Sequence, residues 1–342
     1  MRLPQPPEGK TGWPWFIPAD TNSTDVGTVC PPITVVTPSY NQGEYLEETI
    51  RSVLLQGYPN LQYIVVDGES SDRSAEVLDK YAAHITHLIR EPDTGQSDAI
   101  AKGLNLATGK FFNWINSDDM LLPGVLMQLG NHFVESYDLY TFRVLVRGET
   151  CEPYTMQNHN LTAKGILRAD SYSFSQPGLW FRTQRVRECG GIDRNFNYGF
   201  DWDLLIRYLS DNHRVFYSTS AGAIFRLHAA SKTMQETSKT ESADNRFLQE
   251  SHVIRLKLER TLSESLRRAS VLGRQREPWN NYLVDMLDSP HQSPFLLSLS
   301  ILGQVLVKPR ARCSTRTFGS IARLLSRYVR PKFYRSQASD TR

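Results

Sequence analysis

The stretch Ile33-Thr34-Val35-Val36-Thr37-Pro38-Ser39-Tyr40-Asn41-Gln42-Gly43-Glu44 decides the fold. Its first five residues form a run rich in β-branched side chains that Pro38 ends, which reads as a short strand buried on both faces. Asn41, with Glu44 three places on, reads as a helix N-cap with its capping box. Leu46, Ile50, Val53 and Leu54 then share one helical face, and Gly57 closes the helix.

Outward from this unit the pattern repeats. Tyr63-Ile64-Val65-Val66 is a second strand, followed by Asp67-Gly68 and a Ser/Asp-rich turn, and Leu78, Tyr81 and Ala82 mark the next helix. His87-Leu88-Ile89 is a third strand. Ser97 can cap a helix running through Ala107 and stopped by Gly109. Phe111 to Ile115 is a fourth strand, with Asn116-Ser117-Asp118-Asp119 at its carboxyl end. This alternation predicts an α/β fold with a doubly wound, mostly parallel central sheet flanked by helices. Ligands of such sheets bind beyond the carboxyl ends of the strands, and the three polar loops 37–42, 67–72 and 116–119 all fall there. Beyond Asp119 the pattern predicts a helix from Pro123 to Tyr137, a strand from Leu139 to Val146, a helix from Asp201 to Leu209 and a strand at Val215-Phe216-Tyr217. Residues 239–276 are charged with helical periodicity.

The composition sets outer bounds. The chain has 342 residues, 40% hydrophobic and 22% charged, enough for a large packed core. The formal charge of +3 averages two unlike parts. From Lys308 to Arg342 there are ten Lys/Arg and one acid, a charge of +9, which leaves 29 basic and 35 acidic residues, −6, for the rest. An acidic body with a basic tail points to an anionic surface as partner for the tail, not to a nucleic-acid enzyme. There is no apolar run of about eighteen residues or more for a transmembrane helix, and the start of the chain lacks the apolar segment of a signal peptide. The four cysteines form no C-x-x-C pair, so a zinc site is not expected and reduced thiols in a cytoplasmic protein are the simple reading.

The first strand is not followed by G-x-G-x-x-G, which argues against a dinucleotide cofactor. Gly103 to Lys110 differs from a phosphate-binding loop in glycine spacing and in having Phe111 where Ser or Thr belongs. Asp118-Asp119 at a strand end is another matter. Adjacent carboxylates repel unless a cation intervenes, and hard oxygen ligands suit Mg²⁺ or Mn²⁺ completed by substrate phosphates. Read alone, the pair is first a polar turn with a helix cap before Pro123, and a metal site second.

The ordered set Thr-Pro-Ser-Tyr-Asn, Val-Asp-Gly-x-Ser-Ser-Asp, Asp-x-Gly-Gln-Ser-Asp-Ala and Asn-Ser-Asp-Asp resembles the nucleotide-sugar-binding half of family 2 glycosyltransferases, which have the GT-A fold. Residues 33–125 carry the match, and a looser one continues to about His228. The resemblance implies a GT-A domain over 33–230, with a nucleotide-sugar half (33–125) and an acceptor half (126–230). An irregular arm (1–32) precedes it and a helical, basic extension (231–342) follows. It implies an inverting, metal-dependent transfer from a nucleotide-diphospho-sugar, UDP-sugar foremost, to a saccharide or lipid-linked saccharide in surface polysaccharide synthesis.

The same resemblance assigns residues. Pro38 and Tyr40 line the base and ribose pocket, and Asp67 accepts a hydrogen bond from the base, an acceptor-only group facing a ring N–H. Gln96 and Asp98 open a helix toward the donor, although Asp98 is equally a first-turn acid. Asp118 lies near the ribose or the cation, Asp119 binds the Mn²⁺ or Mg²⁺ directly, and His228 adds a metal ligand or a phosphate contact. The acceptor hydroxyl must lose a proton as it attacks. In the family an acid opening a helix after the acceptor region takes it; Gly199-Phe200-Asp201-Trp202-Asp203 occupies that place here, with Asp201 expected as the base and Asp203 as the alternative.

In the tail, Ile321, Leu324, Leu325, Tyr328 and Val329 are helically spaced among basic residues. Such a helix either lies on an anionic membrane, placing the enzyme peripherally on the inner face of the cell membrane, or packs on the domain. Two other readings compete with glycosyl transfer: a nucleotidyltransferase, which would need a basic, glycine-rich loop after the first strand, and a non-catalytic glycan-binding relative.

Overall fold

A computed structural model of the chain describes residues 3–18, 30–148, 152–168, 174–211, 213–237, 245–274, 283, 294–307, 317–318, 320–322 and 324. They fall into two compact units: residues 1–163 with 172–260, and residues 164–171 with 261–342.

The first unit is built on one mixed sheet, nine-stranded among the described residues, in the order β3-β2-β1-β4-β8-β6-β9-β5 with β7 paired to β6. The expected β-α alternation forms its first half: β1 (Ile33–Ser39), α1 (Gly43–Leu54), β2 (Leu61–Asp67), α2 (Ser74–Tyr81), β3 (His87–Arg90), α3 (Gln96–Leu106) and β4 (Phe111–Trp114). β1 pairs in parallel with both β2 and β4, and β2 with β3. All seven residues of β1 are buried, as a central parallel strand covered on both faces requires. Pro38 is tolerated there because the β4 ladder has ended at Val36, so no partner on that side waits for its missing N–H. The strand order reverses between β1 and β4, so a crevice opens beyond their carboxyl ends.

The second half of this sheet is mixed. β5 (Met120–Leu121), α4 (Val125–Asn131), β6 (Leu139–Gly148), β7 (Tyr154–Met156), β8 (Leu179–Arg182), α6 (Thr183–Glu188), α7 (Phe200–Tyr208), β9 (Val215–Leu227), α8 (Lys232–Thr237) and α9 (Arg246–Leu258) follow in the chain, with the short α5 (Ala163–Arg168) between β7 and β8. β8 runs antiparallel between β4 and β6, while β6 and β9 are parallel. Trp114, Phe111, Phe112, Tyr140, Phe142, Trp180 and Phe181 fill the core. Trp180 and Trp202 are buried, so neither offers a face to a sugar.

Several local expectations are corrected. Asn41 is not a helix cap: it adopts the left-handed conformation (φ 51°), and its side chain accepts from the Ser71 N–H at 2.8 Å. Asp72 takes over the capping, accepting from the Gly43 N–H of α1 at 2.8 Å and from the Ser74 N–H of α2 at 2.9 Å. One carboxylate thereby ties together the starts of two helices. The helix expected from Pro123 to Tyr137 stops at Asn131, because Tyr140 Oη bonds the Val134 N–H and C=O and holds that segment in a turn. The strand expected over three residues at Val215 extends to Leu227 because β6 pairs along its length.

Residues 3–18 are irregular and tied down at a few points. Arg51 donates to the carbonyls of Pro4 (2.8 Å), Pro14 (3.1 Å) and Trp15 (2.8 Å) and to Tyr81 Oη (2.9 Å). The boundary expected at residue 230 lies at 260, since α9 belongs to the first unit.

In the second unit residues 264–274 are helical (α10), and α11 spans Pro294–Val307. Leu297 and Ile301 of α11 are buried with Leu283, Ile321 and Leu324. Leu299, Leu302 and Leu306, spaced i, i+3, i+7 on another face, are exposed, Leu306 by 82%. No described helix is long and apolar enough to cross a membrane. Most of the basic tail beyond Lys308, on which the membrane-helix reading rests, lies outside the described residues.

Candidate active site

Four chain segments meet beyond the carboxyl ends of β1, β2 and β4. The first is the β1–α1 loop. Pro38 is buried within β1 opposite Val66, while Tyr40 just beyond it is 62% exposed, an aromatic face free to stack. At the end of β2, Asp67 is nearly buried, and its two oxygens accept from the Ser70 N–H (2.9 Å) and Oγ (2.6 Å). A carboxylate has lone pairs for about four bonds, so this fixes its orientation and leaves acceptor capacity.

The second segment is the β3–α3 loop. Asp93 presses on Gly68 so closely that a Cβ there would sit 2.7 Å from its Oδ2. Burial raises the Asp93 pKa, and the charges of Asp98 and Asp67 add to the effect. The motif that contains Asp93 was visible in the sequence, but only the contact with Gly68 places it beside Asp67. Asp98 is turned away from the cleft: it accepts from the Thr94 N–H at 3.2 Å and pairs with Arg194 (3.1 Å) and Lys102 (3.7 Å). Of the two roles open to it, the structure supports bracing the loop. Gln96 faces the cleft, donating to Asn116 Oδ1 at 2.6 Å and accepting from the exposed Lys232 at 3.0 Å.

The third segment is the turn after β4, and here the two adjacent acids separate. A turn closed by the Asp119 N–H on the Asn116 carbonyl at 2.9 Å sends the two side chains to different surroundings. Asp119, just before β5, is 0% exposed and accepts from the Arg226 N–H of β9 (3.1 Å) and from Asn116 Nδ2 (3.2 Å). Burial lifts its pKa well above the usual carboxylate range, with the Asp118 charge second. Direct cation binding, expected of Asp119, does not fit a carboxylate enclosed in this way. Asp118 points instead to the cleft, its Oδ2 3.1 Å from His228 Nε2. His228 is held by the Tyr45 ring at 4.3 Å between centroids. Arg226 also pairs with Glu48 at 2.6 Å and donates to Tyr45 O and Thr49 Oγ1, which bolts β9 to α1.

The fourth segment is the start of α7. Asp201 and Asp203 are distinguished without ambiguity. Asp203 is 0% exposed and ion-paired with Arg207 (2.6 Å) and Lys257 (3.1 Å). Asp201 is half-buried and has no ion pair among the described residues, and it accepts from the Trp202 N–H at 2.8 Å. Burial pushes its carboxyl pKa up to about 7; the charge of Glu250 adds to this, while the Trp202 N–H and Lys232 oppose it.

Lys232, Lys257 and Glu250 went unnoticed in the sequence. They sit in charged stretches with no motif, and only long-range contacts bring them here. Among the described residues no group of three or more His, Cys, Asp or Glu gathers to hold a metal unaided.

The arrangement can be compared with known proteins. Residues 34–196 match the model of glycosyl transferase family 2. An uncharacterized glycosyltransferase of Rickettsia prowazekii is 24% identical over 229 residues, 63% of this chain and 70% of that protein. Glycosyltransferase GlyG of Streptococcus pneumoniae is 33% identical over 100 residues, 28% of this chain and 33% of that one. Among solved structures, S. aureus TarS with UDP-GlcNAc is similar at a TM-score of 0.57 and 15% identity, covering 87% of this chain and 89% of TarS. The mannosyltransferase PcManGT from Pyrobaculum calidifontis, with GDP-Man and Mn²⁺, is similar at 0.53 and 16% identity, with 88% of each chain covered. The fold is therefore that of the GT-A glycosyltransferases. Residues 34–196 match glycosyl transferase family 2, and together with the glycosyltransferase relatives this supports glycosyltransferase activity.

Proposed function

We propose that the protein transfers a sugar, with inversion, from a nucleotide-diphospho-sugar to a saccharide or lipid-linked saccharide acceptor, using Asp201 as base and a divalent cation held by Asp118 and His228. The observation that carries this reading is the placement of a carboxyl poised at about 7 (Asp201) on the same cleft as a largely buried carboxylate–imidazole pair (Asp118 and His228) and an oriented acceptor (Asp67). A base works best with a pKa near the operating pH, and among the described residues of the cleft Asp201 is the acid that combines such a value with freedom from a described ion pair.

Tyr40 and Asp67 bind the base of the nucleotide, by stacking and by accepting its ring N–H. Uracil fits, as would any base with a ring N–H at that edge, so UDP- and GDP-sugars are the donors to try first. The neighbours solved with UDP-GlcNAc and with GDP-Man support that choice. Asp118 and His228, 3.1 Å apart, form a mixed oxygen and nitrogen pair, which suits Mn²⁺ better than the oxygen-seeking Mg²⁺. When bound, the cation supplies charge neutralisation for the departing nucleoside diphosphate. Gln96, held by Lys232 and Asn116, orients the donor side of the cleft. Asp201 takes the proton of the attacking hydroxyl.

The test is transfer with a panel of UDP- and GDP-sugars and short saccharide acceptors, with Mn²⁺ or with chelator. At least one donor should give product whose anomeric proton coupling is inverted relative to the donor, with at least tenfold less product under chelator. A retained anomer, or full rate in chelator, would contradict the reading.

The exposed face of α11 supports a peripheral place on an anionic membrane, since Leu299, Leu302 and Leu306 precede the basic residues that begin at Lys308. The double variant Leu302→Glu, Leu306→Glu should pellet with phosphatidylglycerol vesicles at least fivefold less than the wild type. Equal pelleting would leave α11 without a membrane role.

A further inference from the structure

The loop Asn197-Tyr198-Gly199, which leads into α7, is gripped from α9. The carboxylate of Glu250 accepts three successive backbone N–H groups: Asn197 at 2.9 Å on Oε1, and Tyr198 at 2.7 Å and Gly199 at 2.8 Å on Oε2. Two neighbours on the same helix reinforce the grip. Phe247 packs edge-on against Tyr198 at 5.3 Å, and Arg246 donates to Tyr198 Oη at 3.0 Å. The other side of the loop is tied to the donor half. Lys232 reaches the Asn197 carbonyl at 3.3 Å while also bonding Gln96. Asn197 itself bonds Ser97 Oγ and the Thr94 carbonyl, and a Cβ on Gly95 would overlap its Oδ1. Gly199 is the residue whose carbonyl starts α7, accepting from the Asp203 N–H at 2.9 Å. The position of Asp201, two residues on, follows from where Gly199 is held.

We propose that Glu250 is the positioning residue for the base: it sets the start of α7 so that Asp201 faces the acceptor. This inference rests on Asp201 being the base. It goes beyond the family-matched segment, which ends at residue 196, and gives α9 a part in the reaction.

The charged groups that face Asp201 are few. Glu250 of α9 opposes its ionisation, and Lys232 of α8 favours it. Lys232 is in turn within electrostatic reach of Asp118 and Asp93. Asp203 on the same helix is neutralised by Arg207 and Lys257. Hydrogen bonds to a charged acceptor are stronger than neutral ones, so a triple clamp fixes the loop strongly.

Glu250→Ala and Glu250→Gln test this, alongside Asp201→Asn, in the holoenzyme with Mn²⁺, donor and acceptor. Glu250→Ala should lower kcat about tenfold or more at high pH and change the donor KM less than twofold. Glu250→Gln, which keeps an acceptor oxygen but no charge, should recover much of that kcat. Its acid limb of kcat/KM should move to lower pH by about half a unit or more, because an acid relieved of a neighbouring negative charge ionises more readily. If the alanine variant does not fold, the direction of the limb in the glutamine variant decides alone. Wild-type kcat and limb in the Glu250 variants, with Asp201→Asn inactive, would overturn the role of Glu250. A fully active Asp201→Asn would overturn the base assignment, and this inference with it.

Discussion

Asp201→Asn should lower kcat/KM by about 10²- to 10⁴-fold, the usual span for loss of a general base, while nucleoside diphosphate binding and the melting temperature stay as in the wild type. The asparagine keeps the shape and the bond from the Trp202 N–H but cannot take a proton. The pH profile adds a second reading. The Asp201 pKa is raised to about 7. The ionised, working form is therefore present above that pH and is lost as pH falls through it. Wild-type kcat/KM should drop tenfold per unit below about pH 6, and the asparagine variant should show a low, flat line. A wild-type profile level from pH 5 to 9 would remove Asp201 from the role.

Asp203→Asn should do the opposite, leaving the chemistry in place and weakening the fold. Asp203 is fully buried and holds Arg207, itself largely buried, at 2.6 Å. Breaking a buried pair by neutralising one partner costs about 3–5 kcal/mol, because the other charge is left uncompensated. Lys257 is 42% exposed, so its share is screened and the lower end applies. At roughly 2–4 °C per kcal/mol for chains of this size, Tm should fall by about 6–12 °C. Surviving molecules should turn over at a rate within about threefold of the wild type, a bound set far below the ~10²-fold loss of a missing base. The pair of variants thus separates two acids one residue apart. A catalytic collapse in Asp203→Asn at unchanged Tm would reverse the assignment.

The donor half was legible in the sequence because its information is local. A β-branched run, a polar loop and an amphipathic helix lie next to one another in the chain, and β1 to β4 follow from them. What was not legible depends on contacts far apart. The resemblance sets Asp118 near the ribose or the cation and Asp119 on the cation itself. Their surroundings differ because β5 pairs with β9 and presents the Arg226 N–H to Asp119. Asp201 and Asp203 are ranked by Arg207 and Lys257, the latter 54 residues away on α9. Asn41 followed the capping pattern yet took the left-handed conformation, because Ser70 and Ser71 of the neighbouring loop bond its backbone and side chain. The end of the domain was placed at 230 because the family resemblance faded there, whereas α9 continues the unit to 260.

In the proposed mechanism Asp118 and His228 share a cation that holds the nucleoside diphosphate of the donor. Calorimetric titration of UDP and of GDP into wild-type protein and Asp118→Asn, each with Mn²⁺ or with chelator, tests it most directly. At least one diphosphate should bind the wild type with Mn²⁺, and chelator or the variant should weaken that binding tenfold or more, about 1.4 kcal/mol. Binding of equal strength in all four conditions, or no binding of either diphosphate, would contradict it.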